Sequence, residues 1–296
     1  MRDNFVVRLW HLIGEGIDAF IADEALTRGA AIAFYAATAI APTLFIAITV
    51  ASLGFGRAAA GGAIAYQLSH LMGRDSAALL QLAIRHAPGT STGIFNGVVG
   101  FLALILTASG VFGEMEDALN VIWRAPRKGS VLRRLLRGRA VSLALVIGLG
   151  FLLLTSMVFT AGIAAFGHYI DNHTSYSQVA LALINFTVSI VLMALLFAAI
   201  FKILPNKDLE WRDVGAGALG TALLFQLGQF LIGTYLGNSS LATPYGAAGG
   251  LIVMLLWVYY SAQVFLLGAE FTKVFACHFG SQQSAICDTP PVAQAA

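Results

Sequence analysis

The hydrophobic pattern is dominated by six long uncharged runs: Ala30–Leu53, Gly93–Gly113, Ala140–Phe166, Val179–Phe201, Val214–Leu236 and Gly246–Ala269. At about 1.5 Å of rise per residue, a helix of roughly 20 apolar residues crosses the ~30 Å hydrocarbon layer of a bilayer. Helices in a soluble core rarely stay apolar on every side for so long. Backbone inside hydrocarbon must bond to itself, so each run predicts a membrane-spanning helix. The fold class is therefore all-α: a polytopic bundle of six transmembrane helices forming one domain over residues 1–277. Residues 278–296 are polar, contain Pro290 and Pro291, and are expected to form a disordered tail.

Other patterns lie between the runs. Across Asn4–Leu26, Phe5, Leu9, Ile13, Ile17, Phe20 and Ile21 recur at helical spacing while Arg8, Glu15, Asp18 and Asp23 fall elsewhere. This predicts an N-terminal amphipathic helix, lying on the inner membrane face or packed on the bundle. The first loop, Gly54–Thr92, is long for an irregular connection, and Gly61–Met72 and Asp75–His86 read as short helices, with a re-entrant hairpin as the other option. Pro42 in mid-run leaves the Thr38 carbonyl without its usual donor and favours a kink.

Composition sharpens this picture. Hydrophobic residues make up 58% of the chain and charged residues only 11%, where a soluble domain carries roughly a quarter charged. Alternate inter-run segments hold 14 and three of the 17 Lys and Arg residues. Basic residues stay on the cytoplasmic side, so both termini are expected inside, in a bacterial inner membrane. The first run is too long, and lacks the flanks, for a cleaved signal peptide. The Arg124–Arg139 segment carries seven of the basic residues. It is short, sits against the membrane and lacks aromatics for base stacking, so it reads as a topology anchor contacting anionic lipid head groups and not as a nucleic-acid site.

Polar side chains near the apolar runs are the candidate functional residues, because hydrocarbon solvates them badly. Gly110, Gly113, Glu114, Asp117, Asn120 and Arg124 share one helical face. Tyr259, Gln263 and Glu270 line up on the last run, and Arg28 opens the first. Arg28, Asp117, Asn120, Glu270, Gln263 and Gln226 are thus the candidates for a pathway or inner gate. Interfacial ion pairing that fixes helix register is the plainer explanation, with Arg28 bonded to Glu270 or Asp117. Helix packing or hinge roles fall to Pro42, Gly110, Gly113, Gly217, Gly220, Gly246, Gly249 and Gly250, since small residues let backbones approach closely.

Enzyme chemistry is poorly supplied. No HExxH, Walker loop or CxxC occurs, so no cofactor, metal or ATP-driven step is expected. His168, His173 and Asp171 read as solvated loop residues. Cys277 and Cys287 fall in the expected cytoplasmic tail, where thiols stay reduced.

Four pieces together resemble the YihY/BrkB family of inner-membrane proteins, historically labelled ribonuclease BN-like. They are Arg28–Tyr35 with Pro42; Ser109–Gly113 followed by Asp117–Asn120 and Ile122-Trp123; Leu204-Pro205 with Trp211–Val214; and Tyr245–Gly250 leading to Ser261–Gln263 and Gly268–Thr272. Their order and spacing span roughly residues 15–277. Ala39-Ile40, Glu114, Glu116 and Val121 depart from the family's usual residues. The resemblance implies fold and location more than activity, with envelope integrity and lipid-like cargo as the associated themes. The ribonuclease label fits badly, with no metal-binding constellation present. The leading expectation is an ATP-independent transporter or lipid translocator, with no enzymatic activity. The alternative is a non-transporting envelope scaffold, and a membrane ribonuclease is a distant third.

Overall fold

The computed structural model describes residues 3–55, 93–125, 176–238 and 247–280. Every regular element among them is an α-helix: α1 (Asp3–Ala22), α2 (Ala25–Phe55), α3 (Gly93–Ile122), α4 (Tyr176–Ile203), α5 (Trp211–Asn238) and α6 (Ala247–Phe279). Three stretches within them are long and apolar enough to cross a membrane: Phe186–Ile203, Trp211–Leu231 and Ile252–Phe279. The Ala140–Phe166 run, the helices expected in the first loop, Arg127–Arg139, Gly246 and the tail beyond Gly280 lie outside the described residues.

Helix boundaries depart from the hydrophobic pattern where backbone geometry intervenes. The amphipathic segment does not run to Leu26; α1 stops at Ala22 and α2 starts at Ala25. Glu24 takes a left-handed conformation (φ 54°), which an α-helix cannot continue. Its carbonyl then accepts the N–H groups of Thr27 and Arg28 at 3.0 and 3.1 Å, the first bonds of α2. At the other extreme, α3 continues past Gly113 to Ile122 and α6 past Ala269 to Phe279. Charged residues at those ends are therefore helical. Helix α2 passes through Pro42 unbroken, and the Thr43 hydroxyl donates to the Ala39 carbonyl at 2.6 Å beside it.

The chain divides into two compact units. The first comprises Met1–Asp23, Glu116–Gln226 and Phe265–Ala296. Its core is aromatic: Phe197 lies 6.1 Å from Phe201, 5.7 Å from Phe225 and 6.4 Å from Phe265, centroid to centroid. Such pairs add about 0.5–1.5 kcal/mol each beyond area burial. Leu119, Trp123, Val214 and Leu266 complete it.

Here α5 and α6 meet through reciprocal small-residue contacts. Gly217 faces Thr272, and Gly268 faces Thr221. Each threonine hydroxyl donates back to its own helix, Thr221 to the Gly217 carbonyl (2.7 Å) and Thr272 to the Gly268 carbonyl (2.6 Å). The hydroxyls are satisfied without crossing the seam, so each threonine packs its whole side chain, the oxygen nearest, against the facing glycine. Gly16 of α1 receives the Phe271 ring of α6 in the same way.

The second unit comprises Glu24–Met115 and Leu227–Val264. Gly110 accepts the ring of Tyr35, Gly29 the amide of Gln263, and Gly228 the phenol of Tyr260. Ala25, Ile32, Ala33, Val253, Met254 and Val258 are buried. Large apolar side chains also cover the outside of the helices: Phe34 is 63% exposed, Leu183 61% and Phe230 70%. A soluble surface does not present such side chains along whole helices, whereas lipid solvates them.

Candidate functional site: a buried charge cluster

Four ionisable side chains from three helix ends meet inside the first unit. Asp23 ends α1, Arg124 follows α3, and Glu270 and Lys273 stand one turn apart on α6. An Nη2 atom of Arg124 lies 2.7 Å from Asp23 Oδ1. Lys273 Nζ reaches Asp23 Oδ2 at 3.6 Å and donates to Glu270 Oε2 at 3.3 Å. The Asp23 and Glu270 carboxyls thus share one ammonium. Both carboxylates are fully buried, while the Arg124 and Lys273 side chains keep 14% and 11% exposure. Removing one ion from water costs several kcal/mol, so the cluster persists only through this mutual pairing.

Local backbone explains how Arg124 arrives. The Ala125 N–H bonds the Asn120 carbonyl (2.8 Å) and the Arg124 N–H bonds that of Val121 (3.1 Å), a Schellman closure of α3. The left-handed position of that closure normally takes glycine; here it is Arg124, at φ 48°. A non-glycine residue there costs roughly 1–2 kcal/mol. Two side-chain contacts offset it: Nη1 donates to the Val121 carbonyl at 2.7 Å, and Nη2 meets Asp23. Three buried polar atoms around this corner have no hydrogen-bond partner among the described residues: Glu270 Oε1, Arg124 Nε and Trp123 Nε1.

A second polar contact braces the segment between α4 and α5. Asn120 Oδ1 accepts the Asn206 backbone N–H (2.7 Å), and Asn206 Nδ2 donates to Glu116 (2.8 Å). Lys202 bonds the Leu209 carbonyl and lies 6.0 Å from the Trp211 ring centre. Burial pushes the Lys207 ammonium below its ordinary value. On the outside, His278 Nε2 and Glu15 Oε2 are 2.7 Å apart, tying α6 to α1.

Of the residues nominated from sequence, Glu270 sits at the centre of the cluster. Its partners are Lys273 and Asp23, in place of the expected Arg28. Arg28 belongs to the second unit, where it is half-buried. Asp117 is exposed on α3, and Asn120 serves the α4–α5 connection. Gln263 donates to the Leu26 carbonyl at 3.3 Å, and Gln226 is half-buried on α5. Gly110 and Gly217 are close-contact positions, whereas a Cβ at Gly113 or Gly220 would meet nothing within 4 Å. Those two glycines therefore make no packing contact among the described residues. Gly249 and Gly250 lie in the first turn of α6. Cys277 is disulfide-bonded, contrary to the expected reduced thiol; the other cysteine, Cys287, lies outside the described residues.

Sequence reasoning missed Asp23 and Lys273. Asp23 reads as the polar edge of an amphipathic helix, and Lys273 as one more basic residue in an inner segment. The available signal was the Asp-Glu pair interrupting an otherwise helical pattern.

Long apolar helices with lipid-type exteriors and a buried ionic cluster define an all-helical membrane protein. Residues 17–290 match the family described as "Virulence factor BrkB", and the chain belongs to that family. It is similar to a UPF0761 membrane protein of Glaesserella parasuis serovar 5, 30% identical over 184 residues, covering 60% of this chain and 61% of the relative. A UPF0761 membrane protein of Rhodospirillum centenum is 30% identical over 174 residues, 58% of this chain and 37% of the relative. One from Alkalilimnicola ehrlichii is 27% identical over 271 residues, 88% of this chain and 57% of the relative. The chain thus spans only part of the length of these curated relatives. No solved structure matches it.

Proposed function

We propose that this protein is an ATP-independent translocator of lipids or similar amphiphiles. It would span the bacterial inner membrane six times with both termini inside. The observation that carries the reading is the Asp23–Arg124–Lys273–Glu270 cluster. Ionisable groups held in membrane helices are costly and mark substrate or ion pathways more often than they add stability. The amphiphile class follows from the exposed apolar belt together with interfacial charge, where a head group and its tails find suitable surroundings. Asp117 and Asn120 line the inner end of the pathway in this reading, and the Arg124–Arg139 segment contacts anionic head groups. No enzymatic step is assigned.

The test is a flux measurement. Purified protein is reconstituted into ATP-free vesicles containing a fluorescent-tagged phosphatidylglycerol, and dithionite bleaches the accessible label. Translocation carries bleaching beyond the outer-leaflet half, and Glu270→Gln slows it. Bleaching that stops at half in the wild type defeats the proposal.

A second reading, a non-transporting envelope scaffold, is favoured by the close Gly–Thr seam between α5 and α6. It predicts the half-bleached result together with a stable partner in cross-linking. For orientation, the basic-residue bias places the C-terminus inside, whereas a disulfide at Cys277 fits an oxidising side. A reporter fused to the C-terminus decides between them.

A further inference from the structure

The four charges of the cluster are not equally compensated. Asp23 is the well-held anion, with an Arg124 nitrogen at 2.7 Å. Glu270 has a single cation, Lys273, at 3.3 Å, and shares it with Asp23. Its second oxygen, Oε1, is buried with no hydrogen-bond partner among the described residues. An ionised carboxylate accepts up to four hydrogen bonds and donates none. Glu270 is fully buried, so as an anion it would hold charge with one long bond and a second anion alongside.

Adding a proton to Glu270 removes each of these faults. The neutral acid has no ionic desolvation to offset, and it ends the repulsion between two carboxylates that share the Lys273 ammonium. A hydrogen bond between two carboxyls requires that one of them carry a proton. The charged groups around Glu270 are Asp23 at the end of α1, Arg124 after α3 and Lys273 on its own helix. Asp213, buried in the first turn of α5, is the acidic residue that helix adds to the unit.

We propose that Glu270 is a proton-binding site: it takes up one proton from the aqueous side, donates it in a hydrogen bond to Asp23, and releases it again. Lys273 and Arg124 are the fixed counter-charges. Lys273, the partly exposed member beside the carboxyl, marks the side from which water reaches Glu270 and exchanges the proton with it. No bond other than O–H forms or breaks, and each proton gained by Glu270 is lost by hydronium. Use of this site to couple proton movement to cargo rests on the translocator reading; the site itself does not.

Infrared difference spectroscopy across a pH titration tests it. Wild-type protein in lipid, carrying 13C-labelled glutamate, should show a carboxylic-acid carbonyl band that shifts with the label and in D2O. The band should be lost in Glu270→Gln and displaced in Asp23→Asn, with Asp18→Asn, exposed on α1, leaving it in place. The labelled wild type reports even where a variant fails to fold. No label-sensitive acid band above roughly pH 6, where exposed glutamates are ionised, or one unchanged in Glu270→Gln, overturns the inference. The measurement involves no cargo, so the band without lipid flux supports the proton site and removes only the translocator reading.

Discussion

Adding one methyl group to the α5–α6 seam should separate two glycines that look alike in sequence. A Cβ built at Gly217 comes within 2.5 Å of Thr272 Cβ and 2.7 Å of Cγ2, and closer still to its hydroxyl oxygen. Thr272 is fully buried, so it has no solvent to move into. Rotating it away also breaks its 2.6 Å bond to the Gly268 carbonyl, worth about 1 kcal/mol. Overpacking of this kind costs roughly 1–3 kcal/mol. Against it stands the helix-propensity gain of Gly to Ala, up to about 1 kcal/mol. Gly217→Ala should therefore destabilise by roughly 1–3 kcal/mol net, the hydroxyl loss about cancelling the propensity gain. Three residues on, a Cβ at Gly220 meets nothing within 4 Å among the described residues. Gly220→Ala keeps the propensity gain and should be neutral or stabilising, by up to about 1 kcal/mol. The assay is thermal unfolding in detergent, read as surviving monodisperse protein by size-exclusion chromatography. Thr272→Ala should relieve Gly217→Ala, so that the double variant is more stable than the two single losses predict by addition. Equal midpoints for Gly217→Ala and Gly220→Ala would refute the packing argument.

Three further outcomes follow from the polar contacts. Asp23→Asn or Arg124→Gln alone should each lose about 3–5 kcal/mol, because a buried partner charge is stranded; the double variant should recover part of that in the same assay. Asn120→Ala should cost about 1–3 kcal/mol by leaving the Asn206 N–H without its acceptor, and it should do so even if lipid flux is unchanged. Lys207 is held below its ordinary value by burial, so the unfolded chain binds its proton more readily at alkaline pH. Stability should thus rise as pH climbs through the alkaline range toward the ordinary lysine value, and a urea titration of Lys207→Gln should lack that slope.

Helix identity was legible because hydrocarbon imposes one rule on every residue of a long segment, and α2 to α6 each contain one of the apolar runs. Helix ends were less so. Nothing local in the chain announces that Glu24 and Arg124 adopt left-handed backbone, since both sit where glycine is the usual choice. The cluster was half legible. Glu270 stood out as a carboxylate beside an apolar run, but Asp23 gains its meaning from Arg124 and Lys273, which no pattern of spacing connects to it. Gly217 and Gly220 share a helical face, yet among the described residues only a Cβ at Gly217 would meet a neighbour. Periodicity assigns a side, not a contact.

The order in which the cluster's members leave the ribosome matters for biogenesis. Asp23 is made first, Arg124 only after α2 and α3, and Glu270 and Lys273 arrive with α6. A nascent chain therefore carries Asp23 unmatched until Arg124 is made, and a product truncated before α6 lacks its second cation, Lys273. Proteases that survey the membrane for misassembled chains would find in that carboxylate a built-in mark of incomplete synthesis.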